Sequence, residues 1–307
     1  MKITVLAGGT GAAKLLRGLV AAGADLSVVI NTGDDSEVWG LHVSPDLDTI
    51  TYALAGRLDL ARGWGRVDES FHCLAAMAAF EAPTWFALGD RDLATHLVRT
   101  QALAAGRSLS DVTAEIARRL GVRAAVVPMS DDPVRTRLRT PAGWLTFQEY
   151  FVREKARVDV LEVAYDGAAD ARPAPAVLAA IAEPDAVVVC PSNPVTSIGP
   201  ILAVPGIAGA LATTRARIVG VSPIIGGAAV SGPAGQLMAA RGWAVSPLGV
   251  ARAYAPWLDA LLIDATDASL VSDLIAAGVK PVLADILMTD RASEAALARR
   301  VLDAVTP

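Results

Sequence analysis

Short apolar runs recur along the chain, each cut off by glycine, proline, serine or asparagine. Runs of this kind fit strands buried on both faces of a parallel sheet. They predict strands at 2–7, 26–31, 123–127, 158–164, 185–190, 216–221, 258–263 and 279–284. Asp185-Ala-Val-Val-Val-Cys190 is a good example, stopped abruptly by Pro191-Ser192-Asn193-Pro194. Between the runs the spacing turns helical: Leu15, Leu16 and Leu19 form one apolar face over about 12–22. Residues 73–121 read as helices broken near Pro83-Thr84-Trp85 and at Gly106, while 32–72 is less regular and unusually polar. The expected fold class is α/β, a Rossmann-like, mostly parallel sheet flanked by helices, with a helical and small antiparallel insertion. One domain over 1–307 is expected, with an insertion or subdomain near 129–165. There Arg135, Arg137 and Arg139 alternate beside Trp144, Phe147 and Tyr150.

Composition narrows the picture. The 307 residues are 53% hydrophobic and 19% charged, yet no apolar stretch reaches the roughly 18 residues a membrane span needs. A net charge of -5 without a basic run disfavours nucleic acid, whose phosphates demand a positive footprint. The first residues enter a strand directly, without a charged leader. The two cysteines, Cys73 and Cys190, have no metal-ligand spacing. A cytoplasmic compartment with both thiols reduced is the expectation.

The polar loops fall at the carboxyl ends of the strands, where ligands bind in doubly wound sheets. Gly8-Gly9-Thr10-Gly11 can bring backbone N–H groups to a phosphate at a helix N-terminus. A nicotinamide site is disfavoured: Lys14 stands where the third fingerprint glycine belongs, and Asn31 ends the second strand in place of an acid. Asp34, Asp35, Asp46 and Asp48 cluster at strand ends and can hold magnesium over a diphosphate; Asp34 can equally tie a turn and Asp48 cap a helix. Asp92 can cap the helix after Gly89-Asp90-Arg91, leaving Arg91 for a phosphate or a carboxylate. Ser192, Asn193 and Ser197 offer uncharged donors for sugar, base or phosphate, and Ser222-Pro-Ile-Ile-Gly-Gly227 repeats the theme. His42, His72 and His96 show neither triad nor zinc spacing.

At these residues the chain resembles the 2-phospho-L-lactate transferase family of deazaflavin coenzyme F420 biosynthesis, bacterial phosphoenolpyruvate-type members included. The matching blocks begin with Ala7-Gly-Gly-Thr-Gly-Ala-Ala-Lys-Leu-Leu16, Asn31-Thr-Gly-Asp-Asp35, Ser44-Pro-Asp-Leu-Asp-Thr49 and Arg62-Gly-Trp-Gly65. Trp85-Phe-Ala-Leu-Gly-Asp-Arg-Asp-Leu-Ala-Thr-His-Leu97, Phe147-Gln-Glu-Tyr-Phe-Val-Arg153 and Pro191-Ser-Asn-Pro-Val-Thr-Ser-Ile-Gly-Pro-Ile-Leu202 follow. Ser222–Gly227 and Leu287-Met-Thr-Asp290 close the series, so the likeness spans almost the whole chain.

The resemblance implies a magnesium-dependent transferase. Its acceptor would be the deazaflavin alcohol Fo and its donor a guanosine diphosphate ester of lactate, enolpyruvate or glycerate. Products would be F420-0 or its dehydro form, plus GMP. Mg2+ would be held among Asp34, Asp35, Asp46 and Asp48, with Asp35 or Asp48 orienting the attacking hydroxyl or acting as base. Gly9, Thr10, Gly11, Lys14, Ser192, Asn193 and Ser197, with Asp90 and Arg91, would bind the donor. Trp39, Trp64, Trp85 and Phe86 would line a slot for the tricyclic acceptor, with 135–153 a flap or dimer surface. A homodimer is expected from the family. A nucleotide-sugar-binding regulator of related fold is the alternative.

Overall fold

The computed structural model describes residues 1–306. Seven parallel strands form its central sheet: β1 (Lys2–Ala7), β2 (Asp25–Ile30), β3 (Ala125–Pro128), β4 (Ala186–Val189), β5 (Arg217–Val221), β6 (Ala260–Ile263) and β7 (Lys280–Leu283). Their spatial order is β7-β6-β5-β4-β1-β2-β3. Chain order therefore reverses between β1 and β4, the switch point that opens a crevice at the carboxyl edge of such sheets.

The sequence drives this directly. Val5 pairs with Val28 on one side and Val188 on the other, and all four residues of β4 are buried. Successive side chains leave opposite faces of a strand, so Leu6, Val29, Val187 and Val189 join one core. Val5, Val28 and Val188 join a second. Helix α1 (Gly9–Ala21) closes the second core with Leu15, Leu16 and Leu19, against Leu297 and Val301 of the C-terminal helix (Arg291–Val305). The two helices meet closely at Gly18, where an added Cβ would overlap the Glu294 carbonyl, and a buried Arg17–Glu294 ion pair locks the crossing.

The insertion carries a three-stranded antiparallel sheet, with Arg135–Thr140 between Gly143–Thr146 and Glu162–Asp166. The run expected at 158–164 thus begins later, at Glu162, and belongs to this small sheet. The polar stretch 32–72 holds more structure than its pattern suggests. Ser36–Val38 and Leu41–Val43 form a hairpin through Trp39 and Gly40, both at positive φ. Helix α2 (Pro45–Leu54) follows, with Pro45 pre-setting its first turn. Three-residue strands are too short to show alternation, which hid the hairpin. Helix α3 (Asp90–Ala104) completes the wall over the crevice.

Candidate active site

A cavity of about 1010 Å3 lies at the switch point. Its floor is the Gly8–Gly11 turn at the start of α1, facing Ser192, Asn193 and Ser197 after β4. The turn is held shut from below. Gly9 N–H donates to Asp46 Oδ1 at 2.8 Å, and Ser192 Oγ donates to the Gly8 carbonyl at 2.8 Å. A Cβ on Gly8 would sit 2.6 Å from Asp46 Oδ2, so only glycine fits there. Asn193 folds its own loop by accepting from Val195 N–H at 2.9 Å. Lys14 reaches across to the Met288 carbonyl at 2.8 Å, tying α1 to the 286–289 segment of the cavity wall.

Asn31 is the hub of the acidic side. Its amide donates to Asp46 Oδ2 at 2.9 Å and to the Thr196 carbonyl at 3.1 Å, while its oxygen accepts from Gly33 N–H at 2.8 Å. It thereby ties the ends of β2, α2 and the loop after β4 together. Asp34, Asp35 and Asp46 gather around it, all buried. Asp35 Oδ2 accepts from Ser44 Oγ at 2.9 Å and lies 3.0 Å from His42 Nε2. One oxygen of Asp34 and one of Asp35 are buried without a partner. Burial, joined by repulsion from Asp46 and Asp35, pushes the Asp34 carboxyl well above the usual range. Burial likewise pushes Asp46 to about 6, against the hydrogen bonds from Asn31 and Gly9. Asp34, with an unpartnered buried oxygen and a carboxyl that resists ionisation, fits a hard dication, which takes oxygen ligands.

Asp48 stands apart from this trio. Arg99, only 1% exposed, pairs with both of its oxygens. His96 Nδ1 lies 3.6 Å from Asp48 and Nε2 3.4 Å from Asp92, while Tyr52 donates to Asp92 at 2.7 Å. Against the burial that opposes it, His96, Tyr52 and Arg99 hold the Asp92 carboxyl below its usual range. Asp48, Asp92 and His96 are spaced to hold a metal ion, but Arg99 already supplies a cation there.

The pairing of Arg99 with Asp48, and of His96 with Asp48 and Asp92, escaped the sequence reading. Yet every buried residue of α3 is polar: Asp92, Thr95, His96 and Arg99, at helical spacing. That inverted face was the available signal. The capping roles also differ from expectation. Glu69 accepts from the Arg91 and Asp92 amides at 2.7 and 3.0 Å and so caps α3 itself. Asp90 accepts from the His72 and Cys73 amides at 3.0 and 2.9 Å and caps the preceding helix, His72–Ala79. Arg91 bonds the Val67 carbonyl at 3.1 Å. Neither Asp90 nor Arg91 reaches the cavity wall. Of the four aromatic candidates, Trp64, Trp85 and Phe86 line the cavity, joined by Phe147 and Phe151 of the insertion. Trp39 sits behind them, its indole bonded to the Pro83 carbonyl.

A parallel sheet with a glycine turn, uncharged donors and carboxylates converging on one aromatic-walled crevice defines an α/β protein with a ligand site at its switch point. The profile described as 2-phospho-L-lactate transferase CofD matches residues 3–303. This chain belongs to that family, whose members are transferases of coenzyme F420 biosynthesis. It is 46% identical to the phosphoenolpyruvate transferase of Streptomyces griseus, covering 99% of this chain and 98% of that protein. It is 48% identical to that of Kitasatospora aureofaciens, with 98% and 97% covered. A UPF0052 family protein from Bacillus halodurans has the same fold, with TM-score 0.65, 19% identity and 98% of both chains covered. No helix among the described residues is long and apolar enough to cross a membrane.

Proposed function

We propose that the chain transfers a phosphoenolpyruvyl group from enolpyruvyl diphosphoguanosine to the terminal ribityl hydroxyl of Fo, giving dehydro-F420-0 and GMP. The observation that carries this reading is the nest of Asp34, Asp35 and Asp46, of which Asp34 and Asp46 line the cavity and Asp46 bonds the first amide of α1. The full-length likeness to phosphoenolpyruvate transferases supports enolpyruvyl among the family's donors.

The free amides of Thr10 and Gly11, with the α1 dipole and Lys14, cradle the diphosphate. Ser192, Asn193 and Ser197 hold the guanosine side. Trp64, Trp85 and Phe86 stack the deazaflavin and keep water out. The hydroxyl oxygen attacks the phosphorus that bears the enolpyruvyl group; the bond from that phosphorus to the GMP oxygen breaks. The hydroxyl proton passes to Asp48, which lines the cavity. Magnesium held among Asp34, Asp35 and Asp46 would neutralise charge on the diphosphate. Ser44 and His42 hold Asp35 in position, and Arg99 holds Asp48. We place the reaction in the cytoplasm, in a homodimer, with Cys73 and Cys190 as free thiols.

The test offers enolpyruvyl, lactyl and glyceryl donors separately, with Fo and magnesium, and follows GMP release and deazaflavin product mass. The enolpyruvyl donor should turn over best. Turnover of another donor in preference would reassign the hydroxy acid. No GMP release with any donor, and no binding of Fo, would sink the reading in favour of a nucleotide-sugar-binding regulator.

A further inference from the structure

We propose that Arg62 binds the carboxylate of the transferred acid and so selects an acid-bearing donor over plain guanosine diphosphates. This rests on the transferase reading above. Every donor considered there carries a carboxylate a few bonds from the reacting phosphorus, and that charge must be met inside the cavity.

Among the described residues, the cavity wall carries one lysine and one arginine, Lys14 and Arg62. Lys14 projects from α1 beside the phosphate cradle and is tied to Met288. Arg62 comes from a separate loop, between the bridged residues Leu58 and Arg66. That loop turns at Gly63 and Gly65, both at positive φ, and carries Arg62-Gly63-Trp64-Gly65 along the cavity wall. It packs over the start of α1: a Cβ on Gly63 would lie 3.7 Å from Thr10 Cγ2. Arg62 therefore stands next to the turn that would cradle the diphosphate.

The side chain is built to present its head. The guanidinium lies 5.4 Å from the Trp64 ring centroid and 5.1 Å from that of Phe71. Its Nη2 donates to the Arg66 carbonyl at 3.1 Å and lies 2.9 Å from Asp59 Oδ2. Nε is buried without a partner, and the side chain stays 30% exposed. Two aromatic rings and an anchored Nη2 hold the guanidinium plane, and Nη1 keeps its hydrogens for a ligand. A guanidinium N–H donating to a carboxylate makes a strong charge-assisted bond.

The experiment compares wild type with Arg62→Gln and Arg62→Lys in steady-state turnover of the enolpyruvyl donor and Fo, and in calorimetric binding of GDP. For Arg62→Gln the donor KM should rise 10- to 100-fold, while GDP affinity and the Fo KM stay within about twofold. Arg62→Lys should recover part of the loss, keeping charge without the guanidinium plane. A donor KM unchanged in a turning-over Arg62→Gln enzyme overturns the inference. So does a rise in the Fo KM alone, which would make Arg62 an acceptor residue, or an equal loss of GDP affinity, which would make it a phosphate residue. Wild type inactive with every donor would instead fail the transferase reading itself, a separate and recognisable result.

Discussion

Asp34 and Asp46 sit where the metal-free chain keeps them reluctantly. In the unfolded chain Asp46 loses its proton near 3.8, and in the folded chain near 6. Between those values the folded state holds the extra proton, so stability falls as pH rises through the window and stays low above it. A shift of this size is on the order of 2–3 kcal/mol for a buried carboxyl. Chelator-treated protein should therefore unfold more readily in urea at pH 7 than at pH 4.5, if other groups change little. Magnesium should restore stability at pH 7. Asp34→Asn should raise the melting temperature of the chelated protein at pH 7 while abolishing magnesium stabilisation and turnover. A lower melting temperature for that variant would show that Asp34 is stabilising in the metal-free fold. Arg99 presents the opposite case, a buried cation whose charge two acids require. Arg99→Met leaves Asp48 and Asp92 unbalanced and should cost about 3–5 kcal/mol in denaturant titrations. The double variant Arg99→Met/Asp48→Leu should recover a measurable part of it.

At the scale of elements, two glycines of α1 and its approach separate stability from chemistry. Gly18 lets α1 lie against the C-terminal helix, far from the cavity, and its neighbours Glu294 and Ala298 have no room for a methyl. Gly18→Ala should lower unfolding free energy by about 1–3 kcal/mol, as overpacked cores do, with kcat per folded molecule unchanged. Gly8→Ala pushes instead on Asp46 and Ser197 and should cut kcat at least tenfold in protein that remains folded. Equal loss of kcat in both variants would mean that the packing of α1 is not separable from the site. The elements themselves were largely legible in the sequence. Parallel strands buried on both faces leave uninterrupted apolar runs, so β1, β2, β4, β5, β6 and β7 were readable to within about two residues. Legibility failed where the pattern was polar. Asn31 was weighed only as a missing acid, yet its side chain joins three loops. The buried face of α3 reads as solvated because its residues are polar. Asp90 and Glu69 exchange caps across some twenty residues, a pairing that only the folded chain brings together.

Across the whole molecule, burial is distributed unevenly between the sheet and the walls of the crevice. β1 and β4 lie in the middle of two cores and position the glycine turn and the Ser192 loop rigidly. The opposite wall, from Leu58 to Leu88, rests on little. The helix His72–Ala79 within it has no buried residue, and Phe80 is 83% exposed. Its attachments are a few polar ties, among them Asp90 to the helix amides and Trp39 to Pro83. Regions with few buried contacts open at low free energy, while core strands open only with the whole molecule. Amides of 60–85 should thus exchange with deuterium well before those of β1 and β4. Trp64, Trp85 and Phe86 belong to this same wall and face the cavity. An acceptor stacked there bridges the loose wall to the rigid floor, and ligand that binds only the closed form stabilises it by about 2.7 kcal/mol at 100 times Kd. Exchange at 60–85 should slow up to about a hundredfold with saturating Fo and GDP, and hardly at all with GDP alone. Equal protection by GDP alone would show that the nucleotide orders this wall, and that stacking of the deazaflavin is not what closes it.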